Sequence, residues 1–347
     1  MTTLHDIARV VGVKTATVSR VLNDKPNPIK VSERTKSRIF QAVKELGYQP
    51  NAAARAIRQG RFNRIACVVT QYGPRGTTYW PTMASYLEIA ADKLAEYGYS
   101  LIFEPFHIDY PTDQLLETPG LFTELAVDGV LGVAAAGMVA SEVDEKLSRL
   151  KAPTVWLNRN PESEGMVVTC DEVAGARELT RHLIGLGHRR MGYVGTQGDH
   201  HSKQDRYRGV MEELAAGGLE PVSRFLKERL TGLDVVAGEL LDHQPRPTAL
   251  VCYGLFEYDA AIMEAARRGI KIPGQLSVCY FASPWDRRET RSKPTRIEIP
   301  EIPMAAAGVD ILMARVREKK VLPVPKPFVG KMVVGHTTAP PEVSMGA

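Results

Sequence analysis

The stretch VKTATVSRVLN, Val13–Asn23, holds two threonines, a serine, an asparagine and two cations within eleven residues. Lys14, Thr15, Thr17, Ser19, Arg20 and Asn23 can donate or accept hydrogen bonds. Nothing among them pairs a nucleophile with a base, so the chemistry on offer is recognition rather than bond making. Hydroxyls, an amide and a guanidinium suit phosphate oxygens and base edges. None of these types is a strong helix former, yet the stretch contains no proline or glycine. On a helix at about 100° per residue, Val18, Val21 and Leu22 fall on one side. Thr15, Ala16, Ser19, Arg20 and Asn23 fall on the other. That second face is small and polar, so the helix axis can come close to whatever it touches.

Two further helices must hold this face. LHDIARVVGV places Leu4, Ile7, Ala8 and Val11 at i, i+3, i+4 and i+7, and Gly12 ends the run. Ser32 is the N-cap of a third helix, with Ile39, Val43 and Leu46 on one face and Gly47 as its stop. Helix, glycine turn and polar second helix predict a helix-turn-helix whose second helix enters a major groove. The charge agrees. Residues 1–64 carry 13 Lys/Arg against 4 Asp/Glu, and the remainder carries 31 against 36. A basic head on a mildly acidic body predicts that the head meets a polyanion.

After Pro50, NAAARAIRQG reads as a helix of about nine residues, too short to be stable alone. Ile57 is its one large apolar side chain. From Ile65 onward, apolar runs (IACVV, SLIF, VDGVLGVA, PTVWL, MVVTC, RMGYVG, TALVCY, QLSVCYF) alternate with amphipathic stretches such as AGARELTRHLIGLG. That alternation predicts parallel sheets covered on both faces. Their number exceeds one comfortable core, so two α/β lobes are expected. The four cysteines sit in apolar runs and read as buried free thiols. No run is long and apolar enough to span a membrane. The opening MTTLHDIARVVG is not patterned as a signal peptide, and a cytoplasmic location is expected.

LHDIARVVGVKTATVSRVLN, followed by VSERTKSRIFQAVKELGYQPNAAARAIRQGR, resembles the headpiece of LacI/GalR-type bacterial transcription regulators. VDGVLG, HLIGLGHRRMGYVG, RPTALVCY, IPGQLSV and the final TTAPP resemble the periplasmic-binding-protein-like core of the same family. The resemblance implies a helix-turn-helix headpiece over residues 1–50, a hinge helix over 51–61 and a core over 62–347. In the core, lobe 1 would take about 62–158 and 289–322, and lobe 2 about 159–288 and 323–347. It implies that Thr15 and Ala16 read bases and that Arg20 touches DNA. Lys14, Thr17, Ser19 and Asn23 are further DNA-binding candidates, with Asn51, Ala54, Arg55 and Ile57 in the hinge. Ile57 stands where the family wedges a leucine into the minor groove. The partners implied are double-stranded operator DNA, a second copy of the chain and a small effector, such as a carbohydrate derivative, between the lobes. With no leucine heptads near the chain's end, a dimer is expected rather than a coiled-coil tetramer. The sign of regulation expected from the family is repression.

Several positions depart from the family. Lys14 replaces a helix-capping serine, and the link from Asn23 to Val31 is about three residues longer. In the cleft, Arg206 of RYRG, Asn158, Trp80 and Tyr253 are the effector-binding candidates. Gly254-Leu255, Ala282-Ser283 and Gly335 stand where polar or charged groups are usual. Together these losses point away from an ordinary sugar. Two other classes were weighed. A periplasmic solute-binding protein is opposed by the basic head. A dinucleotide enzyme is suggested by GYVGTQG, but that glycine spacing is not the cofactor fingerprint and no acidic residue follows at the right strand end. His200-His201 read as a surface loop rather than metal ligands, and neither a metal nor a cofactor is expected.

Overall fold

The computed structural model describes residues 2–22, 31–49, 56, 60–71, 80–107, 126–133, 147–148, 151–160, 165–195, 198, 200–222, 232–284, 286 and 293–342. Contacts divide the chain into two compact units, Met1–Phe62 and Asn63–Ala347.

In the first unit, α1 (Leu4–Val11) opens with a reciprocal cap between Thr3 and Asp6. It closes at Gly12 in the left-handed conformation, φ 73°. Helix α2 spans Thr15–Leu22 and α3 spans Glu33–Glu45. The Ser32 side chain caps α3 by accepting from the Thr35 amide at 3.2 Å. Ile7, Ala8, Val11, Val18, Ile39 and Ala42 form the buried core, with Val21, Leu22, Val43 and Leu46 packed against it. Arg38 of α3 donates to the Val11 carbonyl at 2.8 Å, satisfying a helix end from outside its own helix.

The second unit has two five-stranded sheets. The first contains β1 (Arg64–Gln71), β2 (Ser100–His107), β3 (Gly129–Val133), β4 (Thr154–Leu157) and β5 (Val167–Val168). Its order is β2-β1-β3-β4-β5, all parallel. The second contains β6 (Met191–Val194), β7 (Ala249–Cys252), β8 (Ser277–Ala282), β9 (Thr295–Glu298) and β10 (Lys331–Val333). Its order is β10-β9-β8-β7-β6, with only β10 antiparallel. Strands β3, β6, β7 and β8 are buried along their whole length, as unbroken apolar runs require when helices cover both faces.

Among the described residues, six longer helices cover the sheets: α4 (Trp80–Glu96), α5 (Glu172–Gly185), α6 (His201–Ala216), α7 (Leu233–Asp242), α8 (Leu255–Arg267) and α9 (Glu301–Met313). Helix α9 packs on α4 and on the first sheet, whereas α5 packs on α6. The α5–α6 contact is backbone-close. A β-carbon added at Gly209 would sit 2.7 Å from both the Ala176 β-carbon and the Val173 carbonyl. Arg177–Glu212 and Arg181–Glu213 ion pairs flank the seam. All four cysteines are buried and free.

The crossovers between lobes differ from those read from sequence. Strand β5 belongs to the first sheet, and β9 pairs beside β8 in the second. The chain therefore leaves lobe 1 after residue 168 rather than at 159. It returns at the start of α9, near 300, rather than at 289. Strand pairing across a crossover is non-local, and an apolar run does not reveal which sheet it joins. The third crossing falls between the end of α9 at Met313 and the start of β10 at Lys331, which joins the second sheet.

Candidate functional site

The first site is the outer face of α2. Val18 is buried, while Thr15, Thr17, Ser19 and Arg20 are half-buried and Lys14 and Ala16 are exposed. One face thus packs on α1 and α3 and the other stays outside the core, as the helical spacing predicts. Lys14 holds the N-cap position: its carbonyl accepts from the Thr17 amide at 2.8 Å and the Val18 amide at 3.3 Å. Its side chain has no oxygen to cap the remaining amides. His5, Arg9, Gly12, Lys14 and Thr15 line a concave surface at the elbow between the two helices. Asn23, Asn51, Ala54, Arg55 and Ile57 lie outside the described residues. Lys14→Ser is expected to slow hydrogen exchange of the first α2 amides by restoring an N-cap oxygen worth about 0.5–1 kcal/mol. Unchanged exchange would show that another group already caps α2.

The second site lies between the two sheets. Arg206 on α6 is 5% exposed. Its Nε and Nη2 donate to the two Glu172 carboxylate oxygens at 2.7 and 3.0 Å, and its Nη1 donates to the Tyr253 carbonyl at 2.7 Å. Its plane lies over the Tyr253 and Phe281 rings, 4.6 and 4.3 Å from their centroids. Burial opposes the guanidinium charge, but Glu172 more than offsets this and holds Arg206 above the ordinary arginine value. Arg206 is thus a fixed wall of the site, with most of its donors committed.

Asn158 ends β4 in the left-handed conformation, φ 53°, which asparagine tolerates better than most residues. Its carbonyl faces the His200 Nε2 at 2.9 Å, and its buried Oδ1 has no partner. The Tyr253 hydroxyl bonds to Ser202 at 2.8 Å. Trp80 opens α4, but its side chain lies outside the described residues. Arg206 and Tyr253 are therefore brought together, and Asn158 reaches them through His200 and Ser202.

The positions that depart from the family have local explanations. Glu257 at the start of α8 turns its carboxylate back toward Gly254 and accepts from that residue's amide. The Ser283 hydroxyl donates to Glu301 at 2.9 Å. At Gly335, a β-carbon would collide with the Lys293 carbonyl and Pro294, so backbone occupies the space where a side chain would begin.

His200 and His201 are not a surface loop. They open α6, half-buried, with rings 4.5 Å apart. No metal-ligand cluster occurs among the described residues. Glu172, Ser202 and Glu301 are the site residues that the sequence reading missed. Glu172 follows an N-cap aspartate, and its partner lies 34 positions away, so no local spacing marks it.

These buried groups set a pH optimum. Burial holds His200 down to about 3 and His201 to about 4, against an ordinary 6.5. The unfolded chain takes up protons below pH 6.5 that the fold refuses, so this stability is lost as pH falls. Glu301 acts oppositely. Burial pushes it up to about 8, so the fold keeps a proton that the unfolded chain releases above its ordinary 4.5, and this stability is lost as pH rises. Denaturant titrations should show a maximum near pH 6.5, with losses on the order of 1–2 kcal/mol at pH 5 and at pH 8.5. Glu301→Gln should flatten the alkaline limb. A monotonic rise across that range would contradict the assignment.

Residues 3–51 match the family described as bacterial regulatory proteins, lacI family, and residues 180–338 match a periplasmic binding protein-like domain. The chain is 28% identical to the HTH-type transcriptional regulator GalR of Escherichia coli strain K12, over 99% of this chain and 97% of GalR. It is 26% identical to the regulator DegA of Bacillus subtilis strain 168, with 98% of each covered. Among solved structures, a lac repressor dimer bound to operator and the anti-inducer ONPF superposes with a TM-score of 0.78 at 18% identity, covering 97% of this chain and 99% of that one. A CelR–cellobiose complex gives 0.69 at 24%, covering 97% and 100%. A helix-turn-helix followed by a two-sheet core of the periplasmic-binding type defines a DNA-binding transcription regulator, not an enzyme. Over nearly its whole length the chain is similar to the LacI/GalR family of such regulators.

Proposed function

We propose that this regulator is a repressor that binds a palindromic operator as a homodimer and changes its grip when a small molecule enters the cleft between the lobes. The observation that carries this reading is the outer face of α2: small hydroxyls and one arginine on a helix whose other face is buried in the headpiece core. Relatives 25–26% identical to this chain are named HTH-type transcriptional repressor PurR. A two-fold dimer would present two such helices to two half-sites about one DNA turn apart. Acting on the chromosome requires a cytoplasmic location, and no described helix is long and apolar enough to cross a membrane. The effector candidates remain Asn158, Arg206, Tyr253 and Trp80. A solute-binding role without DNA leaves the composition of α2 unexplained.

The test is binding to the palindrome upstream of the protein's own gene against a scrambled duplex, with purified full-length protein. Specific retardation is expected, and equal affinity for both duplexes would overturn the reading. The hinge gives a sharper check. A segment of about nine residues gains its helix from DNA and from its twin, and Ile57 is its apolar wedge. Ile57→Ala should weaken operator binding at least tenfold, about 1.4 kcal/mol, with salt-sensitive non-specific binding little changed. Circular dichroism should show less helix gained on operator. Unchanged affinity and helix gain would reduce residues 51–60 to a tether.

A further inference from the structure

We infer that the ligand taken between the lobes is a cation, an amine or guanidine that donates hydrogen bonds, rather than a neutral polyol. This rests on the reading of the cleft as an effector site.

The key group is Glu301, the first residue of α9 and 1% exposed. Its Oε2 accepts from Ser85 on α4, in lobe 1, and from Ser283 after β8, in lobe 2. One carboxylate thus spans the two lobes. Its Oε1 is buried and has no partner. A buried acceptor left unmade is costly, and native proteins keep one only for a reason.

The surrounding charge sharpens this. The groups that act electrostatically on Glu301 are Asp286, Glu172 and Arg206, and Glu301 in turn acts on Tyr86. Arg206 is the one cation of that set, and Glu172 already binds it through two hydrogen bonds. Glu257, 6% exposed, is another buried carboxyl facing Arg206, with Lys203 as its second cation. Within this group of residues, three buried carboxyls therefore share the Arg206 guanidinium, with Lys203 also acting on Glu257. One further unpartnered atom near Arg206 leans the same way. Asn158 Oδ1 can only accept. Neutral His201 faces Thr169 through Nε2, and its buried Nδ1 has no partner. A donor ligand satisfies these atoms, and a positive one also supplies the missing charge. A neutral hydroxyl would satisfy the hydrogen bonds without displacing a proton from the carboxyl.

Burial pushes Glu301 up to about 8, so near neutrality it holds a proton. A cation seated on Oε1 would expel that proton. Below pH 8, affinity should therefore rise about tenfold per pH unit.

The test uses full-length protein and calorimetry with agmatine and putrescine as cations, galactose and cellobiose as neutral sugars, and glucose 6-phosphate as an anion. The expected result is that a cation binds and releases about one proton, read from two buffers of different ionisation heat. Its affinity should be about tenfold higher at pH 7 than at pH 6. Glu301→Gln should weaken binding at least tenfold and remove the pH dependence. The wild-type proton release and pH dependence stand without the variant, should it misfold. A neutral sugar or the phosphate binding without proton release would overturn the cation assignment and leave the effector cleft standing. Failure of all five probes, with no change in operator binding, would overturn both.

Discussion

Glu172→Ala is expected to destabilise the two-sheet unit by about 3–5 kcal/mol, the cost of leaving a buried charge without its partner. Arg206 would keep its place over Tyr253 and Phe281 but lose two of the three hydrogen bonds described above. Arginine does not deprotonate in proteins, so the charge stays. Apparent melting should fall by about 5–8 °C for a unit of this size. Removing both partners together, as Glu172→Leu with Arg206→Met, should cost far less than the sum of the two single changes, because well-packed apolar pairs replace buried ion pairs with little loss. A single-variant loss below about 1 kcal/mol would mean that water reaches the pair and that its burial has been misread.

Arg20→Ala should weaken the preferred operator by about 1–3 kcal/mol, roughly ten- to a hundredfold. Arg20 sits in the last turn of α2, on the side opposite Val18. Thr15 and Ala16 occupy the first turn, the part of a recognition helix that meets base edges. Substituting those two should change which operator is preferred, whereas Arg20→Ala should lower affinity most on the cognate site. Selection from a randomised duplex pool would read both effects. Equal weakening on every sequence would assign the face to phosphate contacts alone.

The headpiece was legible in sequence because its signals are local. The Ser32 cap, the Gly12 stop and the Val18 face all lie within one or two helical turns, whereas the Thr3 cap of α1 went unread. The buried strands were legible as unbroken apolar runs. Strand β9 was not, since TRIE alternates over four residues and resembles a loop. The cleft was only partly legible. Arg206 stood out through RYRG, but Glu301 meets Ser85 across 216 positions, and no periodicity reports that. His200-His201 was misread because burial there comes from Asn158 and Thr169 on distant segments. Gly335 was read as a lost polar or charged side chain, and the structure adds that Lys293 and Pro294 fill the space.

The seam at Gly209 has a mechanical consequence. With the α5 backbone where a β-carbon would stand, and two ion pairs across the seam, the two helices resist sliding on one another. They behave as a single beam. Helix α6 runs sixteen residues from His201, about 24 Å at 1.5 Å per residue. A nudge of a few tenths of an ångström at the His201 end is therefore delivered at Ala216 without being absorbed along the way. A bulkier residue at 209 would pry the beam apart into two independent rods, each free to soak up the motion.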